Sequence, residues 1–307
     1  MPAIITHHIF GEDASALLPD GILLGQEDLL AFLLGNQGGD PLWARVRTLP
    51  KQARTCHLLA TRMHTSNMVD VLMALRNSVS CLNDKDRSIG RAFALGMAGH
   101  YLLDSMTHPL VYAQQDELVR ADPSLRDAYD EVHAIIESDL DTWVLWEMRR
   151  QTVMETPSTS ALMRTDQIDR VAGAMVSQMA WEVFGLELGA NEYAGAVKDY
   201  QLFYRAIDPP SSRLLNVLSS LELIKRKVSR LRAQAHTVTT SDTCAAANLE
   251  HHLWRNPATG EASCASFPDL FHDALFVWPE FSKSLVVGNA DRLSAMIAGI
   301  NYYGQPV

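Results

Sequence analysis

Residues 99–109 read GHYLLDSMTHP, an apolar segment in which His100, Asp104 and His108 recur at an unbroken spacing of four. On an α-helix, positions i, i+4 and i+8 advance by about 40° and rise by about 6 Å at each step, so the three side chains share one face. Burying an imidazole or a carboxylate without partners costs several kcal/mol, and coordination of a cation by the lone pairs removes that cost. The segment therefore predicts a helix that carries metal ligands.

The direction of this stripe follows from the residues before and after it. The same face continues through Phe93 and Met97, which are typical of a core, so we expect the polar groups to point inward. Pro109 disfavours a helical conformation at the residue before it, so we expect the helix to end there, with His108 at the opening of a site.

A second stripe lies in DAYDEVHAIIESDLDTWVL (127–145). There His133 and Glu137, four residues apart, interrupt an otherwise apolar face that continues through Leu140 and Val144. One such pair is usually a surface pair or a simple hydrogen bond, but two inward stripes favour a metal site. Imidazoles with a few carboxylates suit Zn²⁺, whereas Ca²⁺ and Mg²⁺ prefer oxygen-rich sites.

Other candidate ligands stand alone in the sequence. Asp40 lies in GNQGGDP (35–41), where glycines let the backbone approach a ligand closely; the alternative is a turn aspartate. His64 follows His57 by seven residues on one predicted helix, and either could be a core histidine. His7 precedes the first predicted helix. We expect several further acids and histidines to be exposed: Asp139, Asp141, His251, His252 and His272.

Composition limits the classes of function. The chain has 307 residues, 47% of them hydrophobic and 20% charged, with no apolar run long enough for a membrane span, which is typical of a globular protein. A formal charge of -10 repels nucleic acid, so no nucleic-acid partner is expected. Four dispersed cysteines argue against a disulfide framework. MPAIITHHIF (1–10) lacks the features of a signal peptide, which predicts a cytoplasmic protein and leaves export by another route open.

Helical periodicity dominates the chain, and no pair of alternating segments reads as a hairpin, so we predict an all-α, multi-helix bundle. Residues 1–235 would form the helical domain, and residues 236–307 a long loop and a closing helix packed on the same domain. The basic stretch KRKVSRLR (225–232) would be a solvated helix face. The predicted helices are 12–18, 22–35, 51–80, 87–108, 124–149, 165–186, 192–206, 213–234 and 268–298.

Several of these motifs together resemble one family. THHIFGED, GNQGGDP, RMHTSNMVDVL, GHYLLDSMTHP and HAIIESD occur in the order expected of the bacterial zinc-dependent phospholipase C family. NLEHHLWRNPATGEASCASFPDLF also resembles the late segment of family members that lack a secretion signal. That family is all-α and holds three zinc ions, a design shared with zinc-dependent fungal single-strand nucleases.

The resemblance implies a role for each motif residue. Asp40 resembles a loop carboxylate proposed as general base. In the secreted members the N-terminal amine is also a zinc ligand. Here removal of Met1 would expose the secondary amine of Pro2 as the corresponding group. The implied zinc ligands are His64, His100 and Asp104 for one ion, Asp104 and His7 for a second, and His108, His133 and Glu137 for a third.

The expected function is hydrolysis of a phosphodiester by metal-activated water, with Asp40 and Asp104 as the catalytic carboxylates and two or three Zn²⁺ ions as cofactors. The resemblance implies a phospholipase C that converts a glycerophospholipid to diacylglycerol and a phosphorylated head group, with peripheral membrane contact. Two alternatives stay open: a nuclease or soluble phosphodiesterase on the same metals, and a zinc-binding protein without turnover.

Overall fold

Helices account for nearly all the regular secondary structure, which confirms the predicted all-α class. The computed structural model describes residues 3–208, 213–224 and 226–307. Its helices are α1 (Ile4–Ser15), α2 (Gln26–Gly35), α3 (Pro50–Thr65), α4 (Met68–Ser78), α5 (Arg87–Ala121), α6 (Tyr129–Arg149), α7 (Asp166–Phe184), α8 (Glu192–Ile207), α9 (Arg213–Leu223), α10 (Arg230–Ala233), α11 (Phe267–Val287) and α12 (Ala290–Ile297).

Helix α5 is the centre of the fold and contacts α1, α2, α4, α6, α7 and α11. Its middle turns are buried on nearly every face, as expected of a helix that is apolar all round. Helix α2 crosses it at Gly35 and Gly96, where a Cβ atom on either glycine would collide with the backbone of the other helix. This close crossing brings the loop after α2 against the ligand-bearing part of α5.

Pro109 lies inside α5, so the predicted helix end at that residue is wrong. The helix continues for three more turns to Ala121. A proline inside a helix costs about 3 kcal/mol, and burial of the surrounding turns offsets that cost here. The ring of Pro109 packs against Gly304 near the C-terminus, where a Cβ atom would collide with it.

Helix α1 begins at Ile4, so the expectation that His7 precedes the first helix is also wrong. The carboxylate of Asp141 in α6 accepts hydrogen bonds from the backbone N–H groups of Ile5 (3.0 Å) and Thr6 (2.8 Å). A helix N-terminus has unpaired N–H groups, and here a residue far along the chain satisfies two of them. Met1 and Pro2 lie outside the described residues.

Three predicted helices are each divided in two. The helix predicted over 51–80 breaks at Ser66, and Asn67 caps α4 by accepting from the Val69 N–H. The helix predicted over 268–298 breaks at Gly288, whose positive φ of 71° ends α11. The helix predicted over 213–234 breaks after Leu223; position 225 lies outside the described residues.

The late loop contains a small hairpin that the sequence did not predict. Strands β1 (Trp254–Arg255) and β2 (Ala262–Ser263) pair antiparallel, with Trp254 opposite Ser263. After α12 the chain turns back on itself through an isolated bridge between Ile300 and Pro306. None of the described helices is both long enough and apolar enough to cross a bilayer.

Candidate metal centre

Three groups of histidine and acidic side chains can hold a metal ion, and in each group one nitrogen or oxygen of every member lies within 4.8 Å of the others. All but His100 line one cavity of about 370 Å³. We call these residues the metal centre. They comprise every ligand expected from the sequence, together with Asp40: His7, His100 and Asp104; Asp40, His64 and His100; and His108, His133 and Glu137.

Asp104 lies at the middle of the metal centre. Its Oδ1 accepts a hydrogen bond from His7 Nε2 at 3.0 Å, and its Oδ2 lies 3.3 Å from His100 Nε2. His108 Nδ1 is 3.5 Å from the same carboxylate. Helical spacing in α5 places His100 and His108 one turn to either side of Asp104, and α1 brings His7 from across the core.

Asp40 and His64 form the second group with His100. Asp40 Oδ1 lies 3.2 Å from His64 Nε2 and 3.9 Å from His100 Nε2. Asp40 begins a short 3₁₀ helix, and the loop before it passes directly over the His100 ring at Gly38. Gly38 has a φ of 57°, and any Cβ atom there would collide with that ring. Gly38 is therefore required by the close approach of the backbone to the His100 ring.

The third group joins the two stripes seen in the sequence. Glu137 Oε1 lies 3.3 Å from His108 Nε2 and 3.2 Å from His133 Nε2. The two imidazole rings are stacked, with centroids 5.5 Å apart and planes inclined by 11°. One carboxylate oxygen and two parallel rings thus converge on one point.

The histidine tautomers are set by hydrogen bonds on the far side of each ring. In a neutral ring the single N–H is then on Nδ1, where it donates, so Nε2 carries a lone pair. In each of these rings Nε2 lies 3.2 or 3.3 Å from a carboxylate oxygen. Lone pairs at this distance repel unless a cation or a further proton lies between them. Nδ1 donates to a carbonyl oxygen in His64 (Ala60, 2.8 Å), His100 (Asn36, 3.0 Å), His108 (Asp104, 3.1 Å) and His133 (the Gln115 side chain, 3.0 Å).

Protons alone satisfy this arrangement poorly. Protonating every Nε2 would place several imidazolium rings side by side in one buried space, where like charges repel. A divalent ion instead accepts lone pairs from several rings and carboxylates at once. Among the described residues, buried Nδ1 of His7 and Nε2 of His100 have no hydrogen-bond partner. The donor set of imidazoles and carboxylates fits a divalent transition-metal ion.

The charges of the metal centre are strongly coupled. Burial raises the pKa of Asp104, but the neighbouring imidazoles outweigh it and hold that pKa well below its usual range. Burial lowers the pKa of His108, while Asp104 and Glu137 raise it to a net value of about 9. Burial lowers the pKa of His133 below its usual value. Without an ion, protons on the imidazoles therefore balance the negative charge of the carboxylates. A metal ion would displace these protons.

Other histidines and acids considered from the sequence lie outside the metal centre. His57 points away from it, and its ring nitrogen donates to the carbonyl oxygen of Arg45 (3.0 Å). His251 and His272 are exposed, as expected. Asp141 was expected to be solvated, but it is completely buried because it caps α1 and pairs with His236 at 3.0 Å.

Aromatic residues of the cavity wall had no signal in the sequence spacing. The ring of Tyr303, near the C-terminus, lies 5.6 Å from that of His64 and 5.8 Å from that of His108. Trp43 and Tyr112 also line the cavity. In the sequence, only the adjacent tyrosines of NYYG (301–304) distinguish this stretch. Their position at the cavity depends on the tertiary fold.

Comparison of the chain with protein-family models, with curated proteins and with solved structures found no match.

Proposed function

We propose that this protein is a zinc-dependent phosphodiester hydrolase, specifically a phospholipase C that acts on a glycerophospholipid. The observation that supports it best is the set of imidazole Nε2 atoms that face carboxylate oxygens at 3.2 or 3.3 Å along one cavity. Such a donor set would hold two or three ions close together, as phosphodiester hydrolysis by metal clusters requires.

The ligands divide among three positions. His64, His100 and Asp40 would hold one ion, and His7 and Asp104 would hold a second beside it. His108, His133 and Glu137 would hold the third. When bound, zinc would supply Lewis acidity, lowering the pKa of a water molecule and stabilising negative charge on phosphoryl oxygens.

The protein's own carboxylates would accept the proton that the attacking water loses. Water attacks phosphorus and loses a proton to a carboxylate, the bond from phosphorus to the glycerol oxygen breaks, and that oxygen takes up the proton and leaves as the hydroxyl of diacylglycerol. Asp40 and Asp104 lie on the cavity wall with side chains 9% and 7% exposed, where each can accept a proton from water. The geometry of Asp40 also suits a ligand, and the Asp40→Asn variant separates the roles: loss of a ligand lowers the zinc content, whereas loss of a base lowers turnover alone.

The cavity wall favours a lipid head group over a nucleic acid. Among the described residues that line it there is no lysine or arginine, whereas a nuclease needs a cationic surface for successive phosphates. A second candidate, a small soluble phosphodiester, is favoured by the volume of about 370 Å³, which suits a head group better than acyl chains.

The test combines metal analysis with turnover. Protein purified without added metal is assayed for zinc, and then for hydrolysis of p-nitrophenyl phosphorylcholine, bis-p-nitrophenyl phosphate and micellar phosphatidylcholine, before and after chelation. We expect two or three zinc ions and chelator-sensitive release of phosphorylcholine. His57→Asn is the matched control for His64→Asn, because His57 lies on the same helix outside the metal centre. Bound zinc without hydrolysis of any diester would leave the non-catalytic alternative.

A further inference from the structure

A second cavity, of about 470 Å³, lies away from the metal centre. It forms where the end of α4, the first turns of α5 and the end of α11 meet. Arg91, on its wall, precedes His100 by nine residues on α5, which is about 13 Å along the helix axis. None of the metal-centre residues lines this cavity.

Three arginines line the cavity, and no acidic residue is among its described lining residues. Arg76 has only uncharged partners, Asn77 Oδ1 at 3.0 Å and the carbonyl oxygen of Val286 at 3.5 Å. Arg87 pairs with Asp84 at 2.7 Å, but the carboxylate of Asp84 is 90% exposed, so solvent screens that pair. In a protein of net charge -10, this concentration of guanidinium groups is a local exception.

Arg91 supplies the most direct sign of a missing partner. Its Nε is buried and has no hydrogen-bond partner among the described residues. A buried N–H of a charged group left unpaired costs more than an unpaired neutral one, and negative charge in the cavity beside this guanidinium would offset part of that cost. Guanidinium groups bind carboxylate and phosphate oxygens through paired, charge-assisted hydrogen bonds.

The rest of the cavity is apolar. Ala94, Leu95 and Leu285 form its floor and are already buried, and the half-exposed side chains of Val79 and Val286 present apolar surface to it. Gly288 lets the Arg76 guanidinium lie against the backbone at the end of α11, because a Cβ atom there would collide with it. Cationic groups therefore stand beside an apolar surface in one concave site.

We propose that this cavity binds an anionic amphiphile, with a phosphate or carboxylate head on the three arginines and a single apolar chain against Val79 and Val286. The head would bind guanidinium N–H groups that line the cavity, and the chain would cover the two valines. This site does not depend on the proposed hydrolase activity, since the two cavities share no residue.

The test is calorimetric titration of decyl phosphate, below its micellar concentration, into the metal-loaded protein at pH 7.5. We expect Arg91→Gln and, separately, Arg76→Gln to weaken binding roughly tenfold or more, since each removes charge-assisted hydrogen bonds. The matched control is Arg54→Gln, which removes the same charge from an exposed position on α3 and should leave binding unchanged. Any decyl phosphate that binds at the metal centre should bind equally in all variants, so it does not alter the comparison.

The two parts of the ligand are tested separately. Inorganic phosphate should bind roughly tenfold or more weakly than decyl phosphate, because it buries no chain, and decyl maltoside should not compete. Decanoate tests a carboxylate head and should lose affinity in Arg91→Gln as decyl phosphate does. Equal binding of decyl phosphate to the original protein and to both arginine variants overturns the proposal, as does equal affinity for inorganic phosphate.

Discussion

Among the residues that the structure describes, two buried clusters combine histidine with carboxylates, and they are built differently. In the first, the metal centre, several imidazoles face carboxylates around a cavity. In the second, which we call the His236 cluster, His236 lies between Asp141 at 3.0 Å and Asp208 at 2.8 Å. Both ring nitrogens of His236 are fully buried, and each faces one carboxylate.

The His236 cluster is complete without an ion. One protonated ring donates to both acids, Asp141 accepts two backbone N–H groups of α1, and Asp208 accepts from Ser158 Oγ (2.7 Å) and the His236 N–H (3.1 Å). The metal centre, in contrast, needs several extra protons in one space and leaves ring nitrogens unpaired. Burial of a histidine beside an acid is thus not diagnostic of a metal site. The hydrogen-bond partners of each ring nitrogen are what distinguish the two kinds of cluster.

The largest difference should follow removal of the central ligand. Asp104→Asn takes away the carboxylate that contacts His7 and His100, so we expect the zinc content to fall towards the one ion held by His108, His133 and Glu137, and diester hydrolysis to fall by roughly a hundredfold or more. Inductively coupled plasma mass spectrometry and the chromogenic assay measure the two losses. Retention of all bound zinc in this variant would contradict the proposal that Asp104 is a zinc ligand.

The same kind of change in the His236 cluster should act on stability instead. His236→Gln leaves two buried carboxylates without their shared cation, which should lower the free energy of unfolding by about 3 to 5 kcal/mol. Urea denaturation followed by circular dichroism gives this value. The folded fraction should still bind zinc, since no ligand has been changed; a folded variant without zinc would show that the two clusters are not separable.

The His236 cluster should also make stability depend on alkaline pH. Burial lowers the pKa of His236, but Asp141 and Asp208 raise it to a net value of about 10, above the ordinary 6.5. The stabilisation is therefore complete below about pH 6.5 and is lost as pH rises towards 10, by about 2 to 4 kcal/mol. Denaturation of the original protein at pH 7, 8, 9 and 10 should show this decline. A curve of the same slope in His236→Gln would assign the decline to other groups.

A smaller effect is expected from a residue that orients a ligand. Gln115 accepts the hydrogen bond from His133 Nδ1 and so holds the ring with Nε2 towards Glu137. Gln115→Ala should weaken zinc binding about tenfold, with little change in fold. Gln114→Ala is the control, because Gln114 donates to the carbonyl oxygen of Ala246 instead. Equal zinc affinities in the two variants would contradict the orienting role of Gln115.

The parts of the site that lie on one helix were readable from the sequence. The spacing of His100, Asp104 and His108 predicts a shared inward face, and the fold brings that face to His133 and Glu137. Periodicity also predicts the all-α class, because apolar stripes at helical spacing are local properties of the chain.

The parts that depend on distant residues were not readable. The start of α1 is set by Asp141, which lies more than a hundred residues away along the chain. Pro109 stays helical because the surrounding turns are buried on all sides. Tyr303 reaches the cavity only because the chain after α12 folds back over α5, where the Tyr101 hydroxyl donates to the carbonyl oxygen of Ile300 (2.8 Å). Each is a tertiary contact with no local signature.

The cavity of the metal centre is lined by His7 near one end of the chain and by Tyr303 near the other. During synthesis on the ribosome, the helices that carry the ligands emerge well before the segment that covers them. Joining such distant residues has a loop-closure cost that local helix formation does not share, so this wall is among the last features to assemble. A nascent chain therefore presents these histidines and acids before the cavity around them is complete.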